Sequence, residues 1–437
     1  MSDIRPRERD AVLQALRAGV VPRVGQRLIQ VGRKAEIEAL IHDLDRVADG
    51  GAAFRLIVGE YGAGKTFFLN LVRASALEKR FVTMSADLTP DRRLQATGGQ
   101  ARSLYNELTR SCATRTRPEG GALPVVVEKF ISQASAEAKA RAVTTGELIK
   151  EKLSALSELV GGYDFASVIE VYWKAFENKD TEKMAAAVRW LRGEFTTKTD
   201  ARRALGVREI IEDAHIYDQL KLLARFVRLA GYAGLLICLD EMVNLFKLSN
   251  SHARNANYEQ ILRILNDTLQ YAPEGIGFVL GGTPEFLTDS RRGLYSYSAL
   301  AGRLAENTFA QNGLLDLSGP VIRLISLTHE DFFVLLRNLR HVYASGDPAR
   351  YLLPDEGLEA FMRHCFERIG EAYFRTPRTT ITSFINLLAV LEQNPGTDWR
   401  GLIGQVEVKT DEDSAVLDET LSADQPEGTD EFASFTL

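Results

Sequence analysis

Leu56-Ile57-Val58-Gly59-Glu60-Tyr61-Gly62-Ala63-Gly64-Lys65-Thr66 decides how the rest of the chain is read. A short apolar run enters a glycine-rich turn, and Lys-Thr opens a helix-compatible segment, Phe67-Phe68-Leu69-Asn70-Leu71-Val72. Gly59 to Thr66 fits G-x-x-x-x-G-K-[ST] at every fixed position. The spacing has a chemical reason. Backbone N–H groups must curl around a phosphate, and side chains would block the approach, so glycines recur. The N-terminus of the following helix adds partial positive charge. The stretch Gly59, Glu60, Tyr61, Gly62, Ala63, Gly64, Lys65, Thr66 and Phe67 is the expected nucleotide-binding segment. Lys65 is expected on the β- and γ-phosphates, and the Thr66 hydroxyl on Mg²⁺.

Working outward, the composition is that of a globular chain: 437 residues, 45% hydrophobic and 26% charged, enough for two or three domains. No charged-plus-apolar leader pattern and no apolar run of about 18 residues appears, so neither export nor a membrane span is expected. Cys112, Cys238 and Cys365 lie far apart, without metal-ligand spacing, and their odd number argues against a disulfide framework. A reducing cytoplasm is the expected compartment. Net charge is −6, but residues 410–437 carry nine acids and no Lys or Arg. Without them the body is near +3, which permits nucleic-acid contact without requiring it.

Upstream, residues 1–30 form a basic, partly helical segment. Gly32-Arg33 precedes a helical pattern with apolar positions at 37, 40, 41 and 44. Phe54 to Val58 is then a buried strand leading into the loop. Residues 80–87 read as a second strand, whose Ser85 or Asp87 could touch the site; a plain strand end is the competing reading for Asp87. Residues 100–232 are helical by pattern, with segments at 103–108, 125–142, 145–160 and 170–190. That is far more than a βαβ crossover needs, so the block reads as a large helical insertion. Arg202, Arg203, Arg208, Lys221, Arg225 and Arg228 make its end basic, as a solvated face or a nucleic-acid surface.

Gly234 to Glu241 is apolar at every position until it ends in Asp240-Glu241. A central parallel strand covered on both faces should look like this, with its carboxyl end near the phosphate loop. Asp240 is expected to share Mg²⁺ with Thr66, and Glu241 to activate the attacking water. A helix over 259–271 and a fourth strand ending at Thr283 follow. Arg303 closes a helix-like segment, 296–304, and could reach a neighbouring copy's nucleotide, which would require a nucleotide-dependent homo-oligomer. Arg291 and Arg292 read as a solvated turn. Val321 to Leu324 is a fifth strand, and Thr328 with Glu330 and Asp331 caps the next helix. Helices over 330–343, 355–369 and 379–391 form a C-terminal helical module, and Arg378 stands at the start of the last.

Together these parts resemble an AAA+-like P-loop NTPase: an α/β core with a central parallel sheet over 31–325, a helical insertion over about 100–232, a helical lid over 326–403 and an acidic tail over 404–437. The order is similar to that of origin-recognition-type initiator ATPases and STAND-type ATPases. A closer resemblance is to the P-loop ATP-binding proteins of BREX-type bacterial phage-defence systems. It rests on Val31-Gly32-Arg33, Gly59–Thr66, Ala86-Asp87-Leu88-Thr89-Pro90-Asp91-Arg92-Arg93-Leu94, Cys238-Leu239-Asp240-Glu241 and Tyr297-Ser298-Ala299-Leu300-Ala301-Gly302-Arg303-Leu304. The resemblance implies an ATPase acting with DNA and a helicase-type partner. It also implies that Gly32 and Arg33 seat the adenine, that Thr283 senses the γ-phosphate, and that Arg378 meets the nucleotide from the lid. Initiator ATPases carry a DNA-binding domain after the lid, whereas the residues after the lid here are acidic, so any DNA contact is expected from the core, the insertion or a partner. ATP and Mg²⁺ are thus the expected cofactors, with hydrolysis the leading expectation and a nucleotide-gated assembly switch the alternative.

Overall fold

The computed structural model describes residues 4–270, 275–309, 316–370 and 377–405. The acidic stretch 410–437 and the end of the helix expected to reach Tyr271 lie outside them. The chain forms two compact units.

The larger unit comprises residues 33–59 and 65–324. Five parallel strands form its sheet: β1 (Ala52–Val58), β2 (Val82–Asp87), β3 (Leu235–Asp240), β4 (Ile276–Gly282) and β5 (Val321–Arg323), in the spatial order β2-β3-β4-β1-β5. β1, β3 and β4 are buried at every position. Their continuous apolar runs reflect helices on both faces. Alternate residues feed two cores, because successive side chains point to opposite faces. Phe54, Leu56, Ile237, Leu239, Phe278 and Leu280 enter one; Ala53, Ile57, Leu236, Cys238 and Val279 enter the other.

The second face is covered by α2 (Lys34–Ala48) and α3 (Lys65–Glu78). The first carries the long helical block. It contains α4 (Gln100–Arg110), α5 (Leu123–Arg141), α6 (Thr145–Ser154), α7 (Gly162–Glu177), α8 (Thr181–Leu191), α9 (Lys198–Leu205) and α10 (Ile216–Leu229). One apolar cluster runs from Phe278 and Leu239 through Phe226 to Phe130, Phe165 and Trp190, so the block shares its core with the sheet. The single helix expected over 170–190 is two helices. Lys179 turns to φ +57°, and the Asp180 side chain caps α8 by accepting from the Lys183 N–H. After β3 come α11 (Val243–Phe246) and α12 (Ser251–Leu269), and after β4 come α13 (Pro284–Thr288) and α14 (Ser298–Arg303).

Two of the basic residues expected on solvated surface do structural work instead. Arg228 donates to the Val47 and Ala48 carbonyls at the end of α2 (both 3.2 Å). Arg292 lies over the Phe246 ring and donates to the Leu248 carbonyl.

Among the described residues, the smaller unit comprises 4–32, 60–64, 325–370 and 377–405. Its helices are α1 (Pro6–Arg17), α15 (His329–Tyr343), α16 (Asp355–Ile369), α17 (Pro377–Gln393) and α18 (Trp399–Ile403). Phe332, Leu336, Phe361 and Phe384 are fully buried, and the last two rings pack tilted at 57° with centroids 5.2 Å apart. Thr328 and Asp331 form a reciprocal capping box at the start of α15. α1 is fastened to α15 by Arg9 donating to the Tyr343 carbonyl, and to α17 by Arg17 donating to Asn386 Oδ1.

Candidate functional site

Because the strands are all parallel, Val58, Asp87, Asp240 and Gly282 end at one edge of the sheet. Each is followed by a turn, and that edge is where open parallel sheets bind ligands. The turn after β1 is the glycine-rich loop. Gly62 and Gly64 take φ of +78° and +85°, a left-handed backbone that a side chain would strain, and α3 begins at Lys65. The loop therefore ends on a helix N-terminus, as an anion site requires.

Strand β4 lies between β1 and β3, yet Asp240 bridges the gap. Thr66 Oγ1 donates to Asp240 Oδ2 at 2.6 Å. The other carboxylate oxygen, Oδ1, accepts from the Glu241 backbone N–H at 2.9 Å. Asp240 is 6% exposed, so its charge is held by these fixed donors. Glu241 itself sits at φ +56°, an uncommon backbone for a residue with a Cβ. The chain then rejoins the sheet, with Met242 N–H donating to the Gly281 carbonyl at 3.0 Å. Strain of this kind persists where surrounding contacts over-determine it, and such positions cluster at functional sites.

Burial, and then the neighbouring Asp240 charge, push the Glu241 carboxyl above the usual range, while Lys65 opposes the shift. Burial and Asp240 push Asp87 upward in the same way. A carboxylate with raised proton affinity is a better base. Lys65 Nζ donates to the Gly59 carbonyl at 2.8 Å, so its ammonium stays beside the loop.

A hard cation would fit here. Thr66 and Asp240 offer hydroxyl and carboxylate oxygens, the donor set Mg²⁺ prefers. Among the described residues no group of three His, Cys, Asp or Glu side chains could hold a metal alone. Such an ion would thus rely on substrate phosphates for further ligands, its usual habit.

The remaining expected residues are placed as follows. Arg33 precedes α2 as its N-cap residue at φ +58°, its side chain mostly buried beside Glu36 at 3.7 Å. The Thr283 hydroxyl caps α13 by accepting from the Phe286 N–H at 3.4 Å, and its own proton remains available. Arg303 is exposed and donates to the Ala299 carbonyl of its own helix. In the smaller unit, the Arg378 guanidinium lies 5.4 Å above the ring of Tyr61, a residue of the glycine-rich loop. The Ser85 backbone N–H donates to the Ser111 hydroxyl at 2.8 Å. Sequence reasoning missed Gly281, which lies against the Asp240 carboxylate; only its place in a Gly-Gly pair closing an apolar strand could have marked it.

A parallel α/β sheet with a glycine-rich loop and a helix N-terminus at its carboxyl edge defines the class: a nucleotide-binding protein. The chain belongs to the family of BREX system ATP-binding proteins BrxC/D, whose model it matches over residues 4–407. ATP is the nucleotide and phage defence the setting that this family assigns. No curated protein matches the chain. None of the described helices is long and apolar enough to cross a membrane.

Proposed function

We propose that this chain is a Mg²⁺-dependent ATPase of the AAA+ kind, coupling hydrolysis to work on DNA beside a helicase-type partner in phage defence. The observation that carries the hydrolytic reading is the link from Thr66 to Asp240, with Glu241 next in the chain and its carboxyl shifted upward. Loop amides and Lys65 bind the β- and γ-phosphates. Thr66 and Asp240 are the residues that would hold Mg²⁺, which when bound neutralises charge on the phosphate oxygens. Glu241 accepts a proton from water as its oxygen attacks the γ-phosphorus. The bond to the β-bridging oxygen breaks, and ADP and phosphate leave. An acid poised to take a proton from water favours hydrolysis over transfer to another acceptor.

The finer parts of the reading rest on separate features. Thr283, at the end of β4, has a hydroxyl proton to offer a γ-phosphate oxygen. Gly32 and Arg33 would border the adenine. The helical segment over 326–403 would act as a lid through Arg378. Arg303, exposed at the end of α14, is the candidate to reach a neighbouring copy's nucleotide, which makes a nucleotide-dependent homo-oligomer the expected assembly.

Glu241→Gln tests the central claim. ATP binding should survive, and steady-state phosphate release should fall by at least about a hundredfold, the lower range for loss of general base catalysis. Wild-type turnover in that variant would sink the assignment. Absence of turnover in the unaltered protein, with ATP-dependent self-association, would instead favour the assembly switch.

A further inference from the structure

Gly281 is the residue of β4 that faces the Asp240 carboxylate. A Cβ built there would stand 2.4 Å from Asp240 Oδ1 and 3.2 Å from its Cγ. The first distance is shorter than non-bonded atoms allow, and the second is tight, so the carboxylate would have to shift. A long side chain could swing away cheaply, but Asp240 cannot. Its Oδ1 is bonded to the Glu241 N–H and its Oδ2 to the Thr66 hydroxyl, so turning the carboxylate aside breaks both bonds. Gly281 also fixes this end of β3 through its backbone, accepting from Met242 N–H. Its φ is not among the positive values of the chain, so conformational freedom is not why glycine is needed here. The need is space.

We propose that Gly281 is the positioning residue of the metal seat: its missing side chain is the room in which the Asp240 carboxylate crosses β4 to reach Thr66. The inference rests on the reading of Asp240 and Thr66 as the Mg²⁺ ligands and adds a third residue to that arrangement. Gly281 touches neither nucleotide nor metal in this role. It acts through Asp240.

The neighbouring glycine supplies the matched control. Gly277 lies on the same face of β4, four residues earlier, and a Cβ there would meet the end of the Leu236 side chain at 3.2 Å and Val47 and Ala53 at ordinary contact distances of 3.7 and 4.0 Å. Each of Gly277→Ala and Gly281→Ala therefore adds one methyl to the same face of one strand, but only the second meets a carboxylate.

The test is ATP affinity of the full chain by titration calorimetry, in Mg²⁺ and again in EDTA. The wild-type protein and Gly277→Ala should bind more tightly in Mg²⁺, by about tenfold or more. In Gly281→Ala that ratio should collapse toward one, while the affinity in EDTA stays within about twofold. A wild-type ratio in Gly281→Ala overturns the proposal. A ratio near one in the unaltered protein removes the metal seat itself, and this inference with it. Should Gly281→Ala fold poorly, thermal melting in an Asp240→Ala background decides. There the obstacle is gone, so adding Gly281→Ala should leave the midpoint of Asp240→Ala unchanged. A further drop of the same size as in the Asp240-bearing protein would show that the carboxylate is not what the methyl meets, and would overturn the proposal.

Discussion

Arg55 stands in the middle of a strand whose every residue is buried, and it is itself only 7% exposed. Its guanidinium makes a two-pronged bond to Asp43 of α2, Nε to Oδ2 at 2.5 Å and Nη2 to Oδ1 at 3.1 Å, and donates to the Leu317 and Gly319 carbonyls. The pair ties α2, β1 and the segment before β5 together, within the strand that launches the phosphate loop. Breaking a buried pair by removing one partner leaves an uncompensated charge and costs about 3–5 kcal/mol. Asp43→Ala should therefore lower the urea midpoint strongly. Asp43→Leu combined with Arg55→Met should recover most of that loss, because apolar replacements of a buried pair are often near neutral. A double variant as unstable as the single one would contradict this account. The sequence shows Arg55 plainly, but its partner is twelve positions earlier on a helix, and no periodicity links the two.

At the scale of elements, the strands and the site edge are legible because their signals are local. An apolar run ending in Asp-Glu, and a glycine turn ending in Lys-Thr, depend on adjacent residues. All five strands stand where their runs predict. The illegible features depend on packing. The break between α7 and α8 interrupts a helical pattern whose apolar residues continue on both sides, and only the cap at Asp180 marks it. Asp180→Ala should cost about 1 kcal/mol, the usual value of an N-cap, read as a small shift in the denaturation midpoint with activity unchanged. The insertion is the larger case. Its length was readable, but not that its core is continuous with the sheet. Phe226 packs its ring 5.1 Å from Phe130 and 5.4 Å from Phe165, centroid to centroid, within the cluster that includes Phe278. Phe226→Ala should cost about 3–5 kcal/mol. Sheet and insertion should still unfold in one transition when followed by near-ultraviolet circular dichroism and by hydrogen exchange. Separate melting of the insertion would show that the shared core does not couple them.

For the whole molecule, the sequence motif says only that a phosphate is held, and family membership says that the phosphate belongs to ATP. Geometry adds which residues must respond when ATP arrives. Lys65, Thr66, Asp240 and Glu241 belong to the larger unit, whereas Glu60 to Gly64 of the same loop cluster with the helices of the smaller one. A ligand that binds only the folded state stabilises it by RT ln(1 + [L]/Kd), about 2.7 kcal/mol at a hundred times Kd. Saturating ATP with Mg²⁺ should therefore raise the thermal midpoint, and Lys65→Ala should abolish that rise without lowering the midpoint of the free protein much, since the Lys65 side chain is only partly buried. Hydrogen exchange locates the effect. Amides at 59–66 and 240–242 should gain protection first, since they adjoin the phosphates and the Thr66–Asp240 link. Arg378 lies over Tyr61 within the smaller unit, so protection at the start of α17 would report a response of that contact to the nucleotide. Tyr61→Ala should then erase the protection at α17 while leaving that at 240–242 intact. Equal protection at α17 in Tyr61→Ala would show that the Arg378 contact plays no part in the response.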